Sequence, residues 1–253
     1  MRIWVEGPTP YTEKGEFLYD ALRKKLKAIA REGTNTEVHW PKSGYTDPTY
    51  VWTRSYNAIE GVKSVYEAWK KGYDAFVISC MMDPGLAEAR SIVDIPVTAG
   101  LESATMVACL LGNRFSIIGL HAPSEPIYAD RVDSYGFSGR LASIRCAGLT
   151  PVEAMDLYAY PEKLINTFSD MAVKAIREDG AEAIILGCTA VSSIFTAQEI
   201  YEIENVPLVN GVVAAVKMAE VMVDLRKAYG TEVCRKSIYA AASNWENEIP
   251  IKF

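Results

Sequence analysis

Histidine is scarce in this chain: its 253 residues include only two, His39 and His121. A metal site built from several histidines is therefore ruled out, and a nucleophile that needs a histidine base would have to use one of these two. The five cysteines are spaced too widely to form a Cys-x-x-Cys pair. This excludes a zinc knuckle and a thioredoxin-type redox motif.

Positive charge is also limited. Lys and Arg number 26 against 32 Asp and Glu, which gives a net charge of −6. The densest basic run, residues 23–27, falls within a helical pattern and is interpreted as a solvated helix face. Binding to nucleic acid is not expected, because neutralising phosphates requires clustered Lys and Arg.

Long apolar runs are missing as well. No stretch of about 18 apolar residues is present, so no membrane-spanning helix is predicted. The first ten residues, MRIWVEGPTP, lack the apolar segment of a signal peptide. We therefore expect a globular protein of the reducing cytoplasm, with free thiols.

What is present is a regular alternation of apolar patterns. Six segments are predicted to be strands: 2–7, 36–40, 75–79, 115–120, 142–146 and 183–186. Seven are predicted to be helices: 13–31, 53–72, 105–111, 125–135, 161–178, 197–204 and 214–228. Such alternation predicts an α/β fold of parallel strands joined by right-handed crossovers.

A comparison of the sequence with itself indicates two related halves. Residues 73–80 resemble residues 181–188, and each segment ends in a cysteine. Two further pairs match in the same order: 2–7 with 114–119, and 95–100 with 206–211. A chance match between similar strands is the alternative, but cysteine is scarce and ends the matched strand in both halves.

The matched proline–x–x–x–glycine elements end at Gly100 and Gly211, which we interpret as crossover points. The first α/β domain is then expected to comprise residues 1–98 and 211–253. The second would comprise residues 99–210. The site is expected between these two pseudo-symmetric, doubly wound domains.

Cys80 and Cys188 are the candidate catalytic residues. Each follows the last apolar residue of a strand, and ligands bind beyond the carboxyl ends of strands in open α/β sheets. Each also precedes an expected helix start, with Asp83 as the cap of one helix and Ser192 or Ser193 as the cap of the other. Unpaired N–H groups at a helix N-terminus lower the pKa of a thiol and bind oxyanions.

Two thiols that reach one pocket from opposite sides suit the inversion of a stereocentre. One thiolate removes a proton from a carbon acid and the other thiol delivers a proton to the opposite face, without a metal or a cofactor. A disulfide between Cys80 and Cys188 is the minor alternative. The remaining cysteines, Cys109, Cys146 and Cys234, are interpreted as small hydrophobic residues.

The segment SCMMDPGLAEAR, from Ser79 to Arg90, resembles the first cysteine motif of hydantoin and allantoin racemases. Residues 95–116 continue this similarity, and residues 186–189 resemble the second cysteine motif of the wider aspartate/glutamate racemase superfamily. The resemblance implies two flavodoxin-like domains and a cofactor-independent, two-thiol racemase or epimerase. It also implies a small-molecule substrate, favouring a hydantoin-type ring or an amino acid derivative, and a homo-oligomer such as a dimer, tetramer or hexamer.

The expected substrate contacts are Pro8, Thr9, Met81, His121, Gly187 and Thr189. The family carries an Asn-Pro-Asn-Thr-type turn after the first strand, where this chain has EGPTP with the acidic Glu6. A carboxylate at the ligand edge would repel an anionic amino acid, so a neutral ring or a substrate amine is favoured. In the alternative interpretation Glu6 points into solvent.

Residues 40–56 hold five aromatic residues: Trp40, Tyr45, Tyr50, Trp52 and Tyr56. We favour a subunit contact or packing against the sheet, with an aromatic lid over an apolar substrate group as the alternative.

Other functions remain open on the same scaffold. A maleate cis–trans isomerase uses one thiol to add to a double bond, and a malonate decarboxylase also uses one thiol. The presence of two cysteines argues against the decarboxylase. A small-molecule binding protein without catalysis is the third candidate, and the paired cysteines weigh against it.

Overall fold

A computed structural model describes residues 1–13 and 16–240 of the chain. The strands within these residues are β1 (Arg2–Glu6), β2 (Asn35–His39), β3 (Ala75–Ile78), β4 (Val97–Ala99), β5 (Phe115–Gly119), β6 (Leu141–Cys146), β7 (Ala183–Leu186), β8 (Glu202–Ile203) and β9 (Val206–Val209). The α-helices are α1 (Glu16–Ile29), α2 (Val51–Lys70), α3 (Leu86–Ile92), α4 (Gly100–Leu111), α5 (Glu125–Ser134), α6 (Pro151–Asp156), α7 (Pro161–Asp179), α8 (Thr189–Ala197) and α9 (Gly211–Tyr229). None of the described helices is long and apolar enough to cross a membrane.

The strands form two sheets with the same internal order. The first sheet is parallel in the order β2-β1-β3-β4, and the second has the order β6-β5-β7-β9-β8, in which only β8 is antiparallel to its neighbour. The segments matched in the self-comparison occupy equivalent strands: β1 with β5, β3 with β7, and β4 with β9. The predicted α/β fold of two pseudo-symmetric halves is confirmed.

Strands β3 and β7 are apolar along their whole length because helices cover both faces of each sheet. Every residue of β3 and β7 is buried. In the first half, α1 and α9 pack on one face, and in the second half α7 and α8 do so. The other faces share one core with α2, α3, α4 and α5, so the halves are joined by continuous apolar packing.

Two helices exchange between the halves. Helix α4 leaves β4 of the first sheet and packs on β7 and β9, whereas α9 leaves β9 of the second sheet and packs on β3 and β4. Their first residues, Gly100 and Gly211, meet beside Met81 where the helices cross. The hydroxyl of Thr98 donates to the carbonyl of Ala215 at 2.8 Å, which further ties α9 to the first half.

One predicted helix is wrong. Residues 197–204 contain the end of α8 at Ala197 and then the short strand β8. Glu199, Glu204 and Asn205 have positive φ values of 55°, 50° and 62°, which end the helix and form the turn into β9. Helix α4 also begins at Gly100, five residues before its predicted start. Residues 241–253, which were assigned to the first domain, lie outside the described residues.

The helix crossing predicts a stability effect at Gly211. A Cβ at this position would lie 2.6 Å from Cε of Met81 and 2.8 Å from the carbonyl oxygen of Gly100. Gly211→Ala should lower the free energy of unfolding by roughly 1–3 kcal/mol, because backbone and side chain must move apart. Urea denaturation measures this change.

The matched control is Gly61→Ala on α2, where a Cβ meets no atom within 4 Å. This variant should be as stable as the parent or up to about 1 kcal/mol more stable. Equal stability of the two variants would contradict the close crossing.

Candidate active site

Four central strands end at one cavity. The segments that follow β1, β3, β5 and β7 line a space of about 890 Å³, its open mouth included. Its walls include Cys80 and Cys188 together with all six expected substrate contacts: Pro8, Thr9, Met81, His121, Gly187 and Thr189. The structure therefore brings every predicted site residue to one place, at the carboxyl ends of the strands in both halves.

Cys188 occupies the N-cap position of α8. The N–H groups of Ala190 and Val191 favour its thiolate without forming a capping hydrogen bond, but burial outweighs them and raises the pKa of the thiol. Ser192 and Ser193 do not cap this helix as predicted. They lie inside it, where their hydroxyls donate to the carbonyls of residues 188 and 189 at 3.0 Å and 2.9 Å.

Cys80 is followed by a turn and not directly by a helix. The N–H of Asp83 donates to the carbonyl of Cys80 at 3.1 Å, and α3 begins only at Leu86. Burial raises the pKa of the Cys80 thiol to about 12, while the N–H of Met82 acts in the opposite direction. The prediction that helix termini lower both thiol pKa values is thus wrong, because desolvation is the larger effect.

Asp83 caps a different helix from the predicted one. Its carboxylate accepts from the N–H groups of Leu101 at 2.9 Å and Glu102 at 2.8 Å, in the first turn of α4, and from the hydroxyl of Tyr135 at 2.7 Å. Its φ of 46° turns the side chain toward α4. Burial raises the pKa of Asp83 to about 6. The turn after Cys80 is therefore anchored to the exchanged helix.

Polar contacts hold the cavity floor across both halves. The hydroxyl of Thr189 donates to the carbonyl of Ser79, so the start of α8 is bonded to the residue before Cys80. The buried hydroxyl of Tyr128 donates to the carbonyl of Gly187 at 2.6 Å. These bonds fix the backbone next to each cysteine.

Three buried polar atoms in the cavity wall have no hydrogen-bond partner within the described residues. They are Nδ1 of His121, Oγ1 of Thr12 and Oγ1 of Thr49. Buried polar atoms are nearly always satisfied in folded proteins, so unpaired ones in a cavity are candidates for contact with a ligand.

None of the described residues that line the cavity is Lys, Arg, Asp or Glu. The lining also includes four large side chains: Tyr19, Leu120, Met155 and Tyr158. An uncharged ligand with a polar part and an apolar part fits these surroundings.

Glu6 lies neither at the ligand edge nor in solvent, and both interpretations are wrong. Successive residues of a strand point to opposite faces, so Glu6 shares a face with Trp4, whose indole N–H donates to it at 2.7 Å. The carboxyl is 4% exposed, and burial raises its pKa to about 7.

The aromatic residues of segment 40–56 do not line the cavity, so the aromatic lid is wrong. The cavity instead contacts Thr46, Pro48 and Thr49 of this segment. Trp40 packs against Tyr19, with ring centroids 4.7 Å apart, and thus supports the cavity wall from behind.

Sequence reasoning missed the wall formed by Met155 and Tyr158. A signal was present in Thr150-Pro-Val-Glu153, because Ser or Thr followed three residues later by Glu marks a helix start. The structure contains this capping box: Thr150 accepts from the N–H of Glu153, and the Glu153 carboxylate accepts from the N–H of Thr150 at 2.8 Å.

The fold and the cavity together define an α/β enzyme of two related halves with a pair of thiols between them. The chain belongs to the Asp/Glu/Hydantoin racemase family, which it matches over residues 15–219. It is 37% identical to a hydantoin racemase of Pseudomonas sp. (strain NS671) over 207 residues, 81% of each chain. The resemblance seen in the cysteine motifs is confirmed, and the class of activity is that of a racemase.

Comparison with solved structures also finds racemases. The allantoin racemase from Klebsiella pneumoniae superposes with a TM-score of 0.83 at 26% identity, covering 96% of this chain and 94% of that one. The maleate isomerase Iso from Pseudomonas putida S16 has a TM-score of 0.58 at 14% identity, covering 88% of this chain and 92% of that one, which shows a shared fold alone. The scaffold therefore does not determine the chemistry by itself.

The burial of Glu6 predicts a dependence of stability on pH. Its pKa is raised from 4.5 to about 7 in the folded protein, so the fold binds this proton more tightly than the unfolded chain does. The stability that the neutral carboxyl provides is complete below pH 4.5 and is lost as the pH rises through 7. Glu6→Gln, which stays neutral, should exceed the parent in unfolding free energy by up to about 3 kcal/mol above pH 7.

Urea denaturation at several pH values between 4.5 and 8 measures this difference. Glu67→Gln is the control, because hydrogen bonding to Lys71 lowers the pKa of Glu67 and its neutralisation should act in the opposite direction. A constant difference between Glu6→Gln and the parent over this range would contradict the assignment.

Proposed function

We propose that this protein is a cofactor-independent racemase of hydantoin-type rings, with Cys80 and Cys188 as the two acid/base residues. The observation that supports this best is a cavity that contains both thiols and no lysine, arginine or carboxylate side chain among its described lining residues. Five-membered hydantoin rings are uncharged, and their stereocentre carries an acidic proton next to a carbonyl.

The proposed reaction balances with the two thiols alone. A thiolate on one side removes the proton from C5 of the ring, and the electron pair moves into the adjacent carbonyl to give an enolate. The thiol on the other side then donates its proton to the opposite face of C5. One sulfur gains the proton that the other loses, so the enzyme needs neither an oxidant nor a metal.

The other lining groups suit the rest of the ring. Its two N–H groups and two carbonyls are complementary in type to the three unpaired atoms of His121, Thr12 and Thr49. Backbone N–H groups at the start of α8 favour negative charge near the enolate oxygen. The apolar wall formed by Tyr19, Leu120, Met155 and Tyr158 would accept the substituent on C5.

Charged substrates fit this cavity poorly. A free amino acid brings a carboxylate and an ammonium group, and burying either without a partner is costly. Maleate and malonates are dianions, and no lysine or arginine among the described lining residues would hold them. The uncharged cavity therefore favours the racemase over the isomerase and the decarboxylase that share the scaffold.

We also propose the division of the chain that the sequence indicates, with residues 1–98 and 211–253 in one domain and residues 99–210 in the other. Assembly into a homo-oligomer belongs to the same proposal. Tyr50, Val51 and Trp52 are 62%, 72% and 66% exposed and form an apolar surface suited to a subunit contact.

The two-thiol mechanism predicts the behaviour of single variants. Cys80→Ser and Cys188→Ser should each lower the rate of racemisation of 5-isobutylhydantoin by about 100-fold or more, because a serine hydroxyl is a far weaker acid than a thiol and scarcely forms the anion that removes the proton. In heavy water, each variant should exchange the C5 proton of one enantiomer without inverting it, since one thiol remains on one face. Polarimetry and proton NMR measure the two processes.

Cys234→Ser, which replaces an exposed cysteine, is the matched control and should racemise at the parental rate. Full activity in both Cys80→Ser and Cys188→Ser would show that the thiols are not the acid and base. Binding of 5-isobutylhydantoin without racemisation would favour a binding protein.

The uncharged cavity predicts selection against amino acids. Leucine and 5-isobutylhydantoin carry the same side chain on the reacting carbon but differ in charge. We expect kcat/KM for leucine to be lower by about 1,000-fold or more, because its two charges would be buried unpaired. Chiral chromatography measures both reactions, and maleate in the same assay should give no fumarate. Comparable rates for leucine would exclude the neutral-ring assignment.

A further inference from the structure

The two cysteines are equivalent in sequence but have unequal surroundings. Cys188 lies at the N-terminus of the nine-residue helix α8, where two backbone N–H groups favour negative charge on its sulfur. Cys80 is followed by a turn, and only the N–H of Met82 acts on it in the same way. The backbone therefore stabilises a thiolate better at Cys188.

A buried carboxylate adds to this difference. Asp83 lies three residues after Cys80 and is fully buried, and its negative charge opposes a second negative charge on the Cys80 sulfur. The other charged or titratable groups that act on Cys80 are Cys188, which also disfavours the thiolate, and Arg131, which favours it. No charged side chain is among the groups that shift the pKa of Cys188.

The carboxylate of Asp83 is stabilised by neutral hydrogen-bond donors and not by a cation. It accepts from the start of α4 and from Tyr135, while Glu102 nearby carries charge of the same sign. No ion pair involves Asp83 in the part of the chain that the structure describes, and the Nε of Arg131 donates instead to the carbonyl of Met82 at 3.2 Å. Its charge therefore acts on Cys80, and Arg131 opposes that effect without forming an ion pair with Asp83.

We propose that Asp83 is a positioning residue that keeps Cys80 as the neutral thiol, so that Cys188 is the first of the two cysteines to lose its proton. The inference rests on the proposed function, in which the two thiols are the acid and the base. The singly deprotonated enzyme, which is the form active in racemisation, then holds a thiolate at Cys188 and a thiol at Cys80. One turnover reverses this arrangement, and proton exchange between the sulfurs or with solvent restores it.

The test measures each thiol without turnover. Alkylation by iodoacetamide is followed between pH 6 and 11 by peptide mass spectrometry, for Cys188 in Cys80→Ser and for Cys80 in Cys188→Ser. The thiolate is the reacting form, so the rate rises about tenfold per pH unit below the midpoint, and the position of this rise gives the midpoint of each thiol even where it lies above pH 11. We expect a lower midpoint for Cys188. Equal midpoints, or a lower midpoint for Cys80, would overturn the proposal.

The Asp83→Asn variant then tests the effect of the carboxylate charge on the Cys80 thiol. It should lower the midpoint of Cys80 by about one pH unit, because a like charge is removed, and should leave the midpoint of Cys188 unchanged. Tyr135→Phe is the matched control: it removes one hydrogen bond to Asp83 but keeps the carboxylate, which stays ionised at alkaline pH. The midpoint of Cys80 should then stay in place. The same shift in both variants, or in neither, would overturn the role of Asp83.

The pH profile of racemisation separates this inference from the proposed function. Activity requires one thiolate and one thiol, so kcat/KM should be bell-shaped, with Cys80 setting the alkaline limb. In Tyr135→Phe this limb should stay in place, and in Asp83→Asn it should move to lower pH by about one unit. If Asp83→Asn does not fold, the two midpoints and the Tyr135→Phe profile still decide the order of titration. If the parent protein does not racemise the hydantoin, the proposed function is refuted. If the alkaline limb of the profile does not move in a folded Asp83→Asn variant, only the role of Asp83 is refuted.

Discussion

The crossing of α4 and α9 is the contact on which the site depends. Each helix begins at a glycine directly after the last strand of one half and then covers the sheet of the other half. Only glycine lets Gly100, Gly211 and Met81 approach as closely as they do. Because the exchange is reciprocal, it brings the carboxyl ends of both sheets to one cavity, and with them the strand ends that carry Cys80 and Cys188.

Burial sets the electrostatics of that cavity. Desolvation raises the pKa of both thiols and of Asp83, although the start of α8 acts in the opposite direction at Cys188 and the N–H of Met82 does so at Cys80. A thiolate formed in such surroundings is a stronger base than one in water, which suits the removal of a weakly acidic carbon-bound proton. The same burial makes unpaired charge on a substrate costly, so the basicity of the thiols and the proposed selection for a neutral ring have one physical origin.

The sequence predicted those features that local pattern determines. Apolar runs located six strands, and the repeat around the cysteines identified the two halves and both thiols. Features that arise from contacts between distant segments could not be predicted from the local sequence pattern. Asp83 precedes α3 but caps α4, and Glu6 is the last residue of β1 but faces Trp4 and α2. The loss of helix after Ala197 depends on positive φ values at residues such as Glu199, which bear no distinctive sequence signal.

Pseudo-symmetry places a thiol on each face of the substrate, as inversion requires, but it does not leave one thiol ionised and the other protonated. A reaction that removes a proton on one face and adds one on the other needs a thiolate and a thiol at the same time. Two cysteines in identical surroundings would share one proton between equivalent states, and both would titrate over the same range. Here a helix start at Cys188 and a buried carboxylate at Asp83 make the two sites unequal. Departure from symmetry at a few residues thus widens the pH range in which one sulfur is charged and the other is not.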